Sequence, residues 1–415
     1  MKCDIITIGD ELLIGQVVDT NSAVMAQMLA GIGVDVHEKI TIGDTREQIF
    51  SALRRASAEA GLVLMTGGLG PTRDDITKST LAEYWHDRLV RDEASYRNVE
   101  RFLAERHLEM NALNERQAWV PSRAEVLPNA CGSAPGMWFE QDGVVYVSMP
   151  GVPHEMVCMM RQEVLPRIAS RLVTQTIVHR TLVLSGIPES RLALVLSAWE
   201  DQLPANMKLA YLPDAGVLRL RLTAKGPREE PVAEAVEAQL SALRPLLGPY
   251  LLGEDVQRLE EIVGLHLLAR HAMLATAESC TGGNVARRIT SVPGSSAYFA
   301  GSVVAYSNRV KTEVLHVAPE TLETHGAVSR ETVLEMVAGV RQLLQTDYAV
   351  AISGIAGPDG GTPEKPVGTV WIAAASPDNA EARCFQFPPD LDRQSIVERS
   401  TNAALRMVLG MMQQH

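Results

Sequence analysis

The sequence predicts a multidomain α/β protein, and three observations predict it. At 415 residues the chain exceeds what a single core ordinarily serves. Short apolar runs alternate with helix-period stripes from residue 4 onward, the pattern of strands joined by crossover helices. Glycine-rich segments follow three such runs, at Gly67–Gly70, Gly282-Gly283 and Gly354–Gly361. Ligands of open α/β sheets bind at such strand ends.

The first 65 residues read as β-α-β-α-β. Asp4–Ile8 is the first expected strand. Val24, Met28 and Ile32 stripe an expected helix over Asn21–Ile32, stopped by Gly33. Val34–Ile40 is the second strand. Asp44 with Glu47 forms a capping-box pattern for a helix turning Ile49 and Leu53 inward, with Gly61 as its stop. Leu62–Thr66 is a buried strand closed by Gly67-Gly68. Residues 71–118 read as helical and charged, 121–153 as a Pro- and Gly-rich stretch, and His154–Arg171 as a helix.

A different texture follows. Ile177–Ser185 and Leu218–Ala224 are strand-like, while Glu189–Glu200 and Pro231–Leu243 are helical, a small α+β module. The Pro/Gly run Pro245–Gly253 is the candidate linker. Beyond it come a helix over Glu254–His271, an apolar run at Ala272–Ala275 and a helix from Asn284. Ser329 is placed to cap a helix striped by Val333, Met336, Val337 and Val340. Asp347–Ser353 and Thr369–Ala374 are expected strands, and Met407, Met411 and Met412 the apolar face of a last helix. The implied domains are residues 1–172, 173–250 and 251–415.

Composition narrows the function classes. The chain carries 38 Lys and Arg against 50 Asp and Glu, a net charge of −12, which argues against a broad nucleic-acid footprint. No apolar run approaches a bilayer span, and the N-terminus enters a strand pattern without a signal-peptide layout. The five cysteines (3, 131, 158, 280, 384) are scattered, odd in number and without metal-ligand spacing. Free thiols in a reducing cytoplasm are the expectation.

Two constellations carry chemistry. Gly67, Gly68 and Gly70, with Thr72 just beyond, follow the third strand and let backbone amides approach a phosphate. Asp74 and Asp75 would repel a pyrophosphate unless a divalent cation lay between, and Asp10-Glu11 follows the first strand, from where a doubly wound sheet could bring it to the same crevice. The plainer alternative makes the glycines a tight turn and Asp74 a helix cap.

The second constellation is Ala277–Gly283. Ser279 is the expected nucleophile of an amide hydrolysis, and Lys311 its base if burial keeps the amine neutral. Tyr306 is placed to relay a proton or orient the lysine. Thr281, Gly282 and Gly283 offer a hydroxyl and amides, and Ser307, Asn308, Gly354 and Gly357 are further substrate contacts. Cys280 competes as nucleophile but lacks an evident histidine partner. In isolation, Ser279 would read as a helix cap and Lys311 as a surface residue.

These motifs resemble the CinA family (competence/damage-inducible protein A) along essentially the whole chain. The carrying stretches are Gly9–Leu13 with Asp19-Thr20-Asn21, Gly67–Asp75, Met149–Met156, Ala277–Gly283, Val292–Ser296, Tyr306–Lys311, Gly326–Ser329, Gly354–Gly361 and Lys365–Gly368. The resemblance implies a doubly wound N-terminal domain similar to the MoaB/MogA molybdopterin-binding proteins. In this family that domain is associated with ADP-ribose pyrophosphatase activity needing a divalent metal (Mg2+, Mn2+ or Co2+). It also implies a small KH-like middle domain and an α/β C-terminal amidohydrolase that deamidates nicotinamide mononucleotide (NMN) without a cofactor.

By motif, Ser279, Tyr306, Lys311 and Thr281 carry over as catalytic candidates, and Asp10, Glu11, Asp74 and Asp75 as metal or phosphate candidates. A homodimer is implied as well. The departures are Asn284, where the family pattern has an aliphatic residue, and Ala300-Gly301-Ser302, where it has a double glycine. Two rivals remain: a deamidase joined to a non-hydrolytic pterin-binding module, and an interaction protein of competence or DNA repair. True KH domains clamp nucleic acid through a GXXG loop, and none occurs between residues 174 and 247, so direct nucleic-acid binding is not expected.

Overall fold

A computed structural model describes residues 1–72, 75–172, 175–214, 217–227, 231–256 and 258–413. Contacts divide it into two compact units, Met1–His179 with Thr223–Val236, and Arg180–Leu222 with Glu237–His415.

The first unit is built on a six-stranded sheet. Its order is Asp35–Ile42, Lys2–Ile8, Leu62–Thr66, Val144–Met149, Gly136–Gln141, Glu125–Leu127. The first four strands are parallel, and the last two add antiparallel at one edge. Helices cover both faces, as expected for a doubly wound sheet. On one face Met25 and Leu29 pack with Met156, Met159 and Met160. On the other, Ile49 and Leu53 pack with Leu81, Trp85 and Tyr146.

The β-α-β-α-β expectation holds, and the Pro- and Gly-rich stretch after residue 121 adds further strands. Its prolines and glycines bracket three strands, and Met137, Phe139, Val145 and Val147 are buried. The helix expected from Asp44 starts one residue later. Thr45 is its cap, accepting from the Gln48 N–H, and Asp44 is free to face Asp10.

The four-stranded sheet runs Met207–Asp214, Val217–Pro227, Gln175–Leu184, Leu251–Glu254. The proposed linker is structured instead. The helix Val232–Leu247 continues through Pro245, and Leu251–Glu254 pairs antiparallel with Leu182–Leu184. Pro245 is tolerated near a helix end, and Gly253 sits where a Cβ would press on Ile262.

The last sheet runs Phe299–Val304, Leu274–Glu278, Tyr348–Gly354, Thr369–Ala375, Ala380–Gln386. Leu274–Glu278 is parallel to both its neighbours. Met336, Val337 and Val340 cover one face, and Ile289, Leu405, Val408 and Met412 cover the other. Ser329 caps its helix as expected, accepting from the Thr332 N–H.

The free-thiol expectation fails for two cysteines. Cys131, in a loop, and Cys158, on the helix Pro153–Met159, form a disulfide with Cα atoms 6.4 Å apart. A separation of 27 residues carries no motif, so the contact was invisible in the sequence. It removes the cysteine argument for a reducing compartment. Among the described residues no helix is long and apolar enough to cross a membrane.

Candidate active sites

The strand Leu274–Glu278 is buried throughout and ends in a carboxylate at zero exposure. Glu278 is the group that organises the loop. Its Oε2 accepts from Thr281 Oγ1 at 2.7 Å, Gly283 N at 3.0 Å and Val285 N at 3.1 Å, and Oε1 accepts from Ala286 N at 2.9 Å. These are the orphan donors that open the helix Asn284–Thr290, satisfied by an acid from the strand before it. Gly283 adopts φ +98, which turns the chain from loop into helix.

This corrects the expected oxyanion donors. The Thr281 hydroxyl and the Gly283 amide are bound to Glu278, and the Gly282 amide donates to the Ser279 carbonyl at 3.1 Å. The Thr281 N–H carries no hydrogen bond among the described residues.

Ser279 and Lys311 meet. Lys311 Nζ lies 3.2 Å from Ser279 Oγ and donates to the Ala305 carbonyl at 2.7 Å. Both side chains are buried, Lys311 at 1% exposure. Desolvation lowers the lysine pKa below its usual range, so the amine is more readily neutral than a surface lysine. Cys280, beside it, is pushed up to about 12 by burial, with no thiolate-stabilising partner strong enough to offset that.

Tyr306 is not hydrogen-bonded to Lys311 among the described residues. Its ring is 63% exposed and its hydroxyl accepts from Arg393 at 3.1 Å, while the Ala305 carbonyl orients the lysine. Arg393 also donates to the Gly357 carbonyl at 2.8 Å, which links the Gly354–Gly361 loop to Tyr306. The Gly357-Pro358 bond is cis. Ser307 caps the helix Asn308–Glu313, accepting from the Val310 N–H, and Asn308 opens that helix. Gly354 lies against Val370 and the Thr369 carbonyl, with no room for a Cβ.

In the first unit, Gly67 has φ +116 and a Cβ there would strike the Ile8 carbonyl; one at Gly68 would strike Thr77 Oγ1. The loop therefore requires glycine at both positions. A cavity of about 390 Å3 opens over it, with Glu11, Asp44, Asp75 and Glu155 among its walls. Asp75 Oδ1 accepts from the Gly70 amide at 2.8 Å, and Oδ2 accepts from the Thr72 amide at 2.8 Å and from the Thr72 hydroxyl. Asp10 and Asp44 exchange backbone-to-carboxylate bonds at 3.1 and 3.3 Å. Burial raises the Asp44 pKa, and the nearby Asp10, Glu11 and Asp75 charges push the same way.

Among the described residues, Asp10, Glu11 and Asp75 do not come together as a metal-holding group. Asp74 lies outside the described residues, and Asp75 spends both oxygens on its own loop. Among the described residues no three His, Cys, Asp or Glu side chains come together as a metal-holding group. Glu155 is engaged too, accepting from Asn129 Nδ2 at 2.7 Å.

An adjoining cavity of about 990 Å3 shares Gly70, Pro71 and Asp75 and is walled further by Lys78, Leu113 and Trp119. Sequence reasoning missed Lys78. It is 8% exposed, donates to the Gln117 carbonyl at 2.6 Å, and burial lowers its pKa to about 8 against the opposing pull of Asp75. The sequence offers one signal for it, a lysine between two threonine-bearing positions of a helix that follows a phosphate-type loop. Glu278 had a plainer one, an acid closing an apolar run.

Comparison with known proteins places these sites in context. Residues 256–412 match the family model described as CinA C-terminal domain, 179–253 that of the damage-inducible protein CinA KH domain, and 4–170 that of a probable molybdopterin binding domain. The chain is 45% identical to a CinA-like protein of Cytophaga hutchinsonii, over 98% of this chain and 96% of that protein. It is 41% identical to a putative competence-damage inducible protein of Halothermothrix orenii, over 91% of each. Among solved structures, the competence/damage inducible protein CihA from Agrobacterium tumefaciens is 36% identical across 37% of this chain and 96% of that one, with a TM-score of 0.36.

Proposed function

The chain belongs to the CinA family, with a MoaB-like N-terminal domain, a KH-like middle domain and a CinA C-terminal domain, and on that premise we propose that its C-terminal domain hydrolyses the carboxamide of NMN to the carboxylate and ammonia. One observation carries the proposal: a buried lysine amine with a lowered pKa, 3.2 Å from a serine hydroxyl at the end of a strand.

Neutral Lys311 takes the Ser279 Oγ proton as the oxygen attacks the carboxamide carbon. The Thr281 N–H is the donor for the oxyanion. Lys311, now an ammonium, returns the proton to the departing nitrogen, and the C–N bond breaks to leave an acyl-serine and ammonia. A water that gives its proton to Lys311 then opens the ester and regenerates the serine. Arg393, Tyr306 and Gly357 form the rim where the rest of the nucleotide is held.

The test is ammonia release from NMN by the wild type and by Ser279→Ala. We expect a loss of about three orders of magnitude or more in the variant. A variant that keeps wild-type turnover would remove Ser279 from the chemistry.

A second site is supported by the first unit's two joined cavities. We propose that they take a pyrophosphate-bearing nucleotide of the ADP-ribose type. The acidic wall of Glu11, Asp44 and Asp75 would repel the bare anion, so it enters as its divalent-cation complex. Lys78, in the wall of the adjoining cavity, would meet the phosphates. AMP release from ADP-ribose with Mg2+, Mn2+ or Co2+, abolished by chelator, is the expected result. Binding without release would make this domain a binding module. We further propose a homodimeric, cytoplasmic enzyme that does not bind nucleic acid directly, to be checked by light scattering, fractionation and salt-dependent titration with single strands.

A further inference from the structure

The larger of the two joined cavities in the first unit has walls of two kinds. Its volume of about 990 Å3 is far more than a phosphate fills and lies at the upper end of the roughly 300–1,000 Å3 range of small-molecule pockets. Gly70, Thr72 and Lys78 make a polar wall suited to an anion, and Leu89, Leu113 and Trp119 an apolar one.

Trp119 is the unusual member. Of the five tryptophans it alone is exposed, at 38%, and Leu113 in the same cavity is 46% exposed. Among the described residues its ring packs on no other ring and under no cation. Even Arg91, its partner across the short ribbon of Leu89–Arg91 and Trp119–Pro121, lies over Tyr96 instead. The ribbon sets how Trp119 stands. Val120 is 2% exposed and turns into the core, so Trp119, one position earlier, shares the other face with Leu89.

The polar wall reaches the smaller cavity through Gln117. Lys78, 8% exposed, donates to the Gln117 carbonyl at 2.6 Å, and its ammonium has two further N–H groups to give. Gln117 is 5% exposed and lines the adjoining cavity of about 390 Å3. Its side-chain oxygen is buried with no hydrogen-bond partner among the described residues. An amide oxygen left so is costly, and a ligand hydroxyl would meet it. Lys78 and Gln117 thus stand where the two cavities adjoin, two residues from Trp119 along the chain.

An anion, hydroxyls and an apolar ring are combined in one class of ligand, a nucleotide. We propose that the larger cavity is the nucleobase pocket of this site and that Trp119 is the specificity-determining platform on which the base stacks. The sugar and phosphates then pass Lys78 and Gln117 into the smaller cavity. On the reading of the two cavities as one nucleotide site, on which this assignment rests, sugar phosphates without a base are the poorer ligands.

AMP and ribose 5-phosphate share the phosphate and the ribose and differ in the base. Calorimetric titration of the full-length chain with each, in Mg2+, therefore isolates the platform. AMP should bind the wild type about tenfold more tightly than ribose 5-phosphate. Trp119→Ala should remove that preference while leaving ribose 5-phosphate affinity and the melting temperature unchanged, and Trp119→Phe should keep most of it. AMP should also quench tryptophan fluorescence in the wild type, and the quench should be lost in Trp119→Phe. A preference for AMP that survives Trp119→Ala, or equal binding of the two probes by the wild type, would overturn the base pocket even where ADP-ribose is still cleaved. No saturable binding of either probe would overturn it as well, and the nucleotide site itself would fall with it only if AMP release from ADP-ribose were also absent.

Discussion

Two glycine loops stand at the ends of two buried strands, and in each a single carboxylate ties down the loop amides. Glu278 does so from behind, at zero exposure, on the strand itself. Asp75 does so from in front, half-buried in a cavity wall. The difference decides what each loop offers a ligand. Behind Ser279 the Gly283, Val285 and Ala286 amides are spent on Glu278, which leaves the Thr281 N–H beside the Ser279–Lys311 pair. At Gly67–Gly70 the Gly70 and Thr72 amides are held by a group that a phosphate could displace, so that loop remains a candidate anion cradle.

The largest effect that would sharpen this contrast is on Lys311. Lys311→Met keeps the shape but removes the base, and deamidation should fall about 1,000-fold. The melting temperature should hold or rise, because burying an amine is unfavourable. Wild-type deamidation should also rise with pH until Lys311 is neutral, at a pH below its usual range. A Lys311→Met enzyme with near-normal turnover would break the comparison at its more reactive end.

Next come the carboxylates. Glu278→Gln removes a charge that accepts four bonds, and should cost about 3 kcal/mol by denaturant unfolding. The matching change Asp75→Asn, in a half-exposed site, should cost about 1 kcal/mol. Equal costs would show that the two loops are held alike.

Much of this was legible in the sequence because strand–loop–helix units announce themselves locally. Leu62–Thr66, Asn284 as a helix start and the Ser329 cap were all readable from neighbours within a few positions. The pairing of Ser279 with Lys311 was readable only as a motif, and the structure adds the burial that lowers the lysine pKa. Contacts set by topology were not readable. The strands after residue 121 depend on a sheet edge waiting for them, and Cys131 meets Cys158 only once that edge is formed. Asp44 was hidden for the same reason: its partner Asp10 lies 34 residues away.

Lys78 supplies a pH test of the N-terminal loop. Its pKa is lowered from 10.5 to about 8, so below about pH 8 the folded chain holds a buried charge and bears the full penalty. Between about pH 8 and 10.5 the unfolded chain binds more protons than the folded one, so this group's contribution makes stability rise with pH. The rise is on the order of 3 kcal/mol. Denaturant titrations across that window should show it in the wild type and not in Lys78→Met. A slope that persists unchanged in the variant would assign the titration to another group.

The smallest expected effect is on Cys280, and it bears most directly on which atom attacks. The thiol sits between Ser279 and Thr281, adjacent in sequence to the proposed nucleophile and intrinsically the stronger one. Burial pushes its pKa up to about 12, so at pH 8 the thiol stays protonated. Lys311 and Arg393 pull the pKa down, but less than burial raises it. Its 7% exposure places it in the core with Val285 and Ile289. Cys280→Ala should therefore keep ammonia release within about twofold of wild type while trimming stability by about 1 kcal/mol. A hundredfold loss of turnover with normal folding would instead make Cys280 the nucleophile, and Ser279 the group that positions it.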